Sequence, residues 1–327
     1  MRVAKRALAL CVALTMLCLC ACSYKPIDPE GDELDVVGEV GGKEVYLEEL
    51  RFAAYTYKGV LESRYGEGIF EGDRAEEYLA MLRELVYANI TANYAVLLLC
   101  EEVMIRLGEQ AVVDKVDATL AQMVEELGGM SKYKKHLKEN RLTDHLLRFN
   151  TEIELLKNEL RYVYIDDLAV IEDDDEKLLQ IIEDDIILIR HVFIPYSEEG
   201  AYDKICDARG RLETGEDFYS LMSEYNRDDE MSEKGTFIIE GYTDEEYEES
   251  AFELEVGEVS DIVSLDDGYY IIERLNMDMS TVWLNFNYLK DMYQNYTFLS
   301  IIDDKQDTLT FVPNALAEEF MKSPFDS

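Results

Sequence analysis

The sequence predicts an α+β protein, mainly helical, in which both flanks of an inserted α+β segment build one helical domain. Three observations carry that expectation. Apolar residues recur at helical spacing from about residue 47 to 163. The period changes at Ile186, where IILIRHVFIP opens a run of alternating strand-like and helix-like segments, and helical spacing returns from Thr281. The expected divisions are 36–185 for the first helical part, 186–276 for the insert and 277–327 for the C-terminal return.

Taken in order, VVGEV (36–40) and KEVYL (43–47) flank Gly41-Gly42 and predict a hairpin, because both residues of a tight two-residue turn need positive φ. A helix follows from Leu47 to Tyr65. Tyr78, Leu82, Leu85, Val86, Ile90, Tyr94 and Leu97 then fall at helical spacing and predict a long helix from Arg74 to Leu107, broken by Gly108. Glu109–Leu127 is a helix closed by Gly128-Gly129, Met130–Asn140 a shorter one, and Thr143 caps another that runs to Val163. The acid run 172–176 lacks the alternating ligands and glycine of a calcium loop, so it reads as a solvated helix start.

Within the insert, 186–195 is strand-like, Ala201–Leu212 and Phe218–Tyr225 are helix-like, and 235–239 and 267–275 are strand-like. Thr281–Leu299 and Pro313–Phe320 close the chain as helices.

The first residues speak to location. Arg2, Lys5 and Arg6 precede an apolar stretch from Ala7 to Leu19, which is too short to span a bilayer as a mature helix. Leu19-Cys20-Ala21-Cys22 resembles a bacterial lipobox, which makes 1–21 a lipoprotein signal and Cys22 the lipidated first residue of an extracytoplasmic, membrane-anchored chain. Residues 22–35, polar and containing two prolines, read as the tether. Cys100 reads as a buried apolar residue, and a bond to Cys206 is open but not argued by spacing.

The 327 residues hold 71 Asp+Glu against 31 Lys+Arg, a net charge of −40, which argues against nucleic acid and anionic headgroups as partners. No Ser/His/Asp, HExxH or phosphate-loop pattern supports a hydrolase or an NTPase, and no Cys/His spacing suggests zinc. His136 and His145 read as solvated residues of polar helix surfaces.

Five segments in order carry a family resemblance: RHVFI (190–194), LETGEDF (212–218), SEYNRD (223–228), AFELEVGEVS (251–260) and GYYII (268–272). Together they resemble a parvulin-type peptidyl-prolyl isomerase domain. The flanks resemble the helical chaperone domain of PrsA- and SurA-type foldases, through the Gly-turn hairpin, the Gly128–Asn140 unit and NRLTDHLLRFNTEI (140–153). The resemblance implies rotation about Xaa-Pro bonds, which makes no covalent bond and needs no cofactor. It places His191 at the first catalytic histidine, Asp228 at the Cys/Asp position, and Tyr270 where a second histidine is usual. Substrate contact falls to Phe237, Tyr247 and Phe252, with Tyr247 at the pocket phenylalanine. Leu265 and Asp267 replace the usual Thr and Ser, and Thr243 stands where an apolar pocket residue is usual. The implied partners are unfolded or nascent exported polypeptides and their Xaa-Pro segments. The alternative is a non-catalytic holdase or a structural envelope lipoprotein.

Overall fold

Two short strands open the computed structural model, which describes residues 35–105 and 110–325. They are β1 (Val36–Val40) and β2 (Lys43–Tyr46), paired antiparallel around Gly41 and Gly42 at φ +59° and +81°. That left-handed backbone is open to glycine at little cost, which is why the turn sits here. The signal, Cys22 and all of the tether but Asp35 lie outside the described residues. No helix among the described residues is long and apolar enough to cross a membrane.

Five helices follow: α1 (Leu47–Tyr65), α2 (Ala75–Glu102), α3 (Gln110–Glu126), α4 (Met130–Glu139) and α5 (Asp144–Tyr162). The long α2 ends at Glu102, short of the expected break at Gly108, because Met104 takes a left-handed turn at φ +68°. The amides of Gly128 and Gly129 return to the carbonyls of Glu125 and Val124 and close α3. Thr143 caps α5 by accepting the Leu146 amide. Leu50, Leu82, Val86, Ile90, Leu156 and Leu160 meet in one core, each worth about 1.5–3 kcal/mol when fully buried.

A buried polar cluster sits in this helical unit. Glu48, at the start of α1, accepts from the Thr143 hydroxyl and pairs with His145 Nδ1. His145 is therefore engaged with a buried carboxylate rather than simply solvated, a contact across about a hundred residues that local polarity does not reveal. Glu49 takes the Tyr46 amide at 2.9 Å and the Tyr94 hydroxyl at 3.1 Å on Oε1, while its buried Oε2 has no hydrogen-bond partner. Burial, opposed by those two hydrogen bonds and aggravated by Glu48, pushes its pKa up to about 7.

The chain then enters a second compact unit, Glu172–Tyr296. Its elements are α6 (Asp175–Asp185), β3 (Ile186–Pro195), α7 (Ala201–Glu213), α8 (Phe218–Tyr225), β4 (Thr236–Ile239), α9 (Glu245–Phe252), β5 (Val263–Ser264) and β6 (Gly268–Leu275). The acid run does start a helix, with Asp174 capping α6 through the Glu176 and Lys177 amides. No group of three or more potential metal ligands occurs among the described residues. The short α9 and β5 were not anticipated from the sequence.

The four strands form an antiparallel sheet in the order β4-β3-β6-β5. Strand alternation sends Val192, Ile194 and Ile271 to a face covered by α7 and α8, and Ile187, Ile189 and Ile272 to the opposite face with Tyr247 and Ala251 of α9. Gly235 precedes β4 at φ +79°, and a Cβ there would stand 2.3 Å from the Ile189 carbonyl oxygen.

The last long helix, α10 (Met279–Asp307), is longer than the expected 281–299 and passes from this unit back to the first. Phe298 and Ile302 join the helical core. β7 (Val312–Pro313) then pairs with β1, and α11 (Ala315–Phe320) follows, capped by Asn314. Pro313 thus lies in a strand, not a helix. Proline lacks the amide that a central strand must donate, and an edge strand tolerates it.

Candidate functional site

His191 lies on the α9-facing side of β3 and is only 7 % exposed. Both ring nitrogens are engaged. Nδ1 stands 2.7 Å from the Tyr247 hydroxyl, and Nε2 stands 3.1 Å from Asp228 Oδ2. A phenol can donate or accept and a carboxylate only accepts, and burial favours the neutral ring. In it Tyr247 donates to Nδ1, and Nε2–H donates to Asp228. Burial holds the His191 pKa below its usual value, against the opposing pull of Asp228 and Asp267.

Asp228 is placed by the loop after α8. The Arg227 amide donates to the Phe193 carbonyl at 2.8 Å, and Asn226 Oδ1 accepts from the Phe193 amide at 2.8 Å. Asn226 Nδ2 then donates to the Asp228 carbonyl, and Asp228 Oδ1 accepts the Glu230 amide at 2.9 Å. Asn226 is therefore a positioning residue that sequence reasoning missed; its place two residues before Asp228 was the available signal.

Tyr270 faces Phe193 across the β3–β6 pair, and the two rings stack at 4.6 Å. Its ring meets His191 edge-on at 5.2 Å and Tyr247 at 5.5 Å. The hydroxyl does not reach the imidazole; it donates to Asp267 Oδ2 at 2.9 Å. Burial raises the Tyr247 and Tyr270 pKa values, reinforced by Asp228 and by Asp267 respectively, so both remain neutral phenols.

Phe252, Leu254, Leu265 and Met231 pack around these rings and complete an apolar wall. Phe237 is not among them. It points to the other face of β4, into the core of Ile182, Ile186, Ile239 and Val282, with its ring 6.0 Å from Tyr288. The reason is strand alternation: Ile238, its neighbour, takes the face that His191 shares. Thr243 packs against no substrate wall either, since its amide and hydroxyl both donate to the buried Glu248, which also accepts the Gly241 amide.

Beside the cluster lies an open depression of about 310 Å³, walled by Tyr219, Met222 and Met231 and by the Asp228, Asp229 and Glu233 carboxylates. Asp228, with its side chain 30 % exposed, links this depression to the buried imidazole. The depression is lined chiefly by polar groups, three carboxylates among them, and the apolar wall belongs to the adjoining ring cluster. Neither offers a nucleophile poised for covalent chemistry.

Residues 187–276 match the family described as "Rotamase: PPIC-type PPIASE domain". The chain is similar to the foldase protein PrsA of Geobacillus kaustophilus, 36% identical over 88 residues, which covers 26% of this chain and 30% of that one. It is also similar to the foldase protein PrsA of Caldanaerobacter subterraneus subsp. tengcongensis, 24% identical over 317 residues, which covers 93% of this chain and 90% of that one. A crystal structure of a peptidylprolyl isomerase (PrsA) from Bacillus anthracis aligns with 67% of this chain and 94% of its own, at a TM-score of 0.40 and 18% identity. The first of these relatives is thus matched over about a third of its length.

Proposed function

From a chain whose residues 187–276 form a PPIC-type rotamase domain, and which is similar to PrsA foldases, we propose an extracytoplasmic foldase that turns over Xaa-Pro bonds slowly. On this reading a lipid on Cys22 tethers it, and its clients are unfolded exported polypeptides. The carrying observation is the buried His191–Asp228 pair beside the apolar ring wall.

Rotation about Xaa-Pro has a barrier of about 18–20 kcal/mol and sheds amide conjugation at its top. A catalyst gains by taking the amide out of water and gripping the ring on apolar walls. Phe252, Leu254, Leu265 and Met231 are suited to that grip. The His191 ring, satisfied at both nitrogens, holds Asp228 and Tyr247 in place rather than touching the substrate. The Tyr270 hydroxyl is spent on Asp267, so little electrostatic help reaches the twisted carbonyl. Slow turnover follows.

The test is protease-coupled isomerisation of a proline tetrapeptide by the full chain. We expect a rate above the uncatalysed one, lowered about tenfold by Asp228→Ala, the equivalent of ~1.4 kcal/mol at the barrier. A wild-type rate equal to the uncatalysed one sinks the catalytic reading. A second reading then stands, that of a non-catalytic holdase. It is favoured by one observation, the tyrosine hydroxyl of Tyr247 that closes the imidazole nitrogen.

A further inference from the structure

The depression beside His191 shares two residues with the ring cluster. Met231 packs against the Tyr247 face of the sheet and also lines the depression. Asp228 meets the imidazole on one side and the depression on the other. An extended chain advances about 3.3–3.6 Å per residue. The residue next to a proline held against Met231 therefore lies over the mouth of the depression.

The sequence supplies acid there and nothing to neutralise it. Residues 228–233 read DDEMSE, and the Asp228, Asp229 and Glu233 carboxylates line the depression with no lysine or arginine among its walls. The nearby cations are engaged elsewhere: Arg227 and Lys204 pair with Glu198, and Arg211 with Glu216. Arg190 reaches the Glu233 carbonyl oxygen, but its charge is matched by the Glu273 carboxylate. Lys234, next in the chain, is exposed and stands outside the walls.

The size of the space separates two kinds of cation. A bare metal ion needs several ligands converging at 2–2.6 Å, and no group of three potential ligands converges among the described residues. Three carboxylates spread around about 310 Å³ suit a larger, organic cation. Tyr219 and Met222 add apolar surface that the alkyl stem of a lysine or arginine covers while its head meets the acids.

We propose that this depression selects the Xaa-Pro segments that the chain takes, seating a lysine or arginine side chain adjacent to the proline, with Asp229 and Glu233 as specificity-determining residues. The proposal rests on the foldase reading for a proline held on the ring wall, and it does not require that the proline turn.

The net charge of −40 attracts any cationic peptide, so the test separates the depression from the general field. Two sets of dye-labelled pentapeptides carry Lys, Ala or Glu immediately before or immediately after one proline. Each is titrated against the full chain by fluorescence anisotropy, and isomerisation of the same peptides is followed by exchange NMR. In at least one set we expect half-saturation for the Lys peptide about tenfold below that for the Glu peptide, with Ala between them and the ratio shrinking in high salt. Asp229→Asn combined with Glu233→Gln should bring that ratio to about twofold. Both side chains are exposed, so the fold is kept, and a general loss of binding does not move a ratio. Glu183→Gln combined with Glu240→Gln removes the same charge from exposed positions outside the walls and should leave the ratio near ten. Equal half-saturation for the Lys and Glu peptides in both sets, or an equal fall of the ratio in the two double variants, overturns the proposal. Preferential binding of a Lys peptide without isomerisation of any peptide supports the subsite and refutes the catalytic reading alone. Isomerisation of all the peptides with equal binding refutes the subsite alone.

Discussion

The two compact units each bury a titratable cluster, and they do so with opposite success. In the unit Glu172–Tyr296, His191 finds a donor for one nitrogen and an acceptor for the other. In the helical unit, Glu49 satisfies one carboxylate oxygen and leaves the other buried without a partner. The difference teaches what each cluster costs. A satisfied neutral imidazole holds a loop and a helix to a strand at little penalty, whereas an ionised carboxylate with an orphan oxygen is a charge kept out of water.

The comparison breaks first at His191. Replacing it with alanine leaves the Tyr247 hydroxyl and Asp228 without their partner and opens a void beside the sheet, at a cost of about 3 kcal/mol. Denaturant titration followed by Trp283 emission, which reports this unit, is the measurement. A loss below about 1 kcal/mol would mean that the ring does not anchor the loop and the helix to the strand.

The pH dependences should run in opposite directions. The folded pKa of Glu49 is raised to about 7, so its contribution to stability is full below the unfolded value near 4.5 and lost as pH rises through about 7. The folded pKa of His191 is lowered, so its contribution is present above the unfolded value near 6.5 and lost as pH falls toward the folded value. Glu49→Gln is therefore expected to stabilise the helical unit by about 1–2 kcal/mol near pH 8, and to change little near pH 4.5. Thermal unfolding of variant and wild type at the two pH values decides it; an equal difference at both would remove ionisation as the cause.

The smallest effect sharpens the picture. Tyr247→Phe removes one hydroxyl and leaves His191 Nδ1 a buried acceptor without its donor, worth about 1 kcal/mol, well short of the His191→Ala loss. If the two variants cost the same, the Tyr247 bond rather than the Asp228 bond carries the cluster.

What could be read from the sequence was local. The Gly41-Gly42 turn, the Thr143 cap and the ten-residue β3 each announce themselves within a few residues of their own positions. What could not be read depends on distant partners. Pro313 becomes a strand residue because Gly38 pairs with it, and His145 is engaged because Glu48 lies buried beneath it. At the candidate site, His191 and Asp228 were put side by side by the family resemblance of the segments that hold them, and the two side chains do meet. The fates of Tyr270 and Phe237 were not legible, since Tyr270 bonds an acid three residues away and Phe237 sits one step out of phase along β4.

The pairing of β1 with β7 sets a schedule for synthesis. Gly38 and Glu39 meet Pro313 and Val312, the Asn314 amide donates to the Val37 carbonyl, and Asn314 Nδ2 donates to the Val36 carbonyl. The opening hairpin thus waits for almost the whole chain to emerge before its outer edge is covered. Residues 172–296, whose strands pair only among themselves, have no such wait. During synthesis the middle of the chain can be finished while the first strand still lacks its outer partner, and a break between residues 307 and 312 would remove β7 and leave that edge of β1 uncovered.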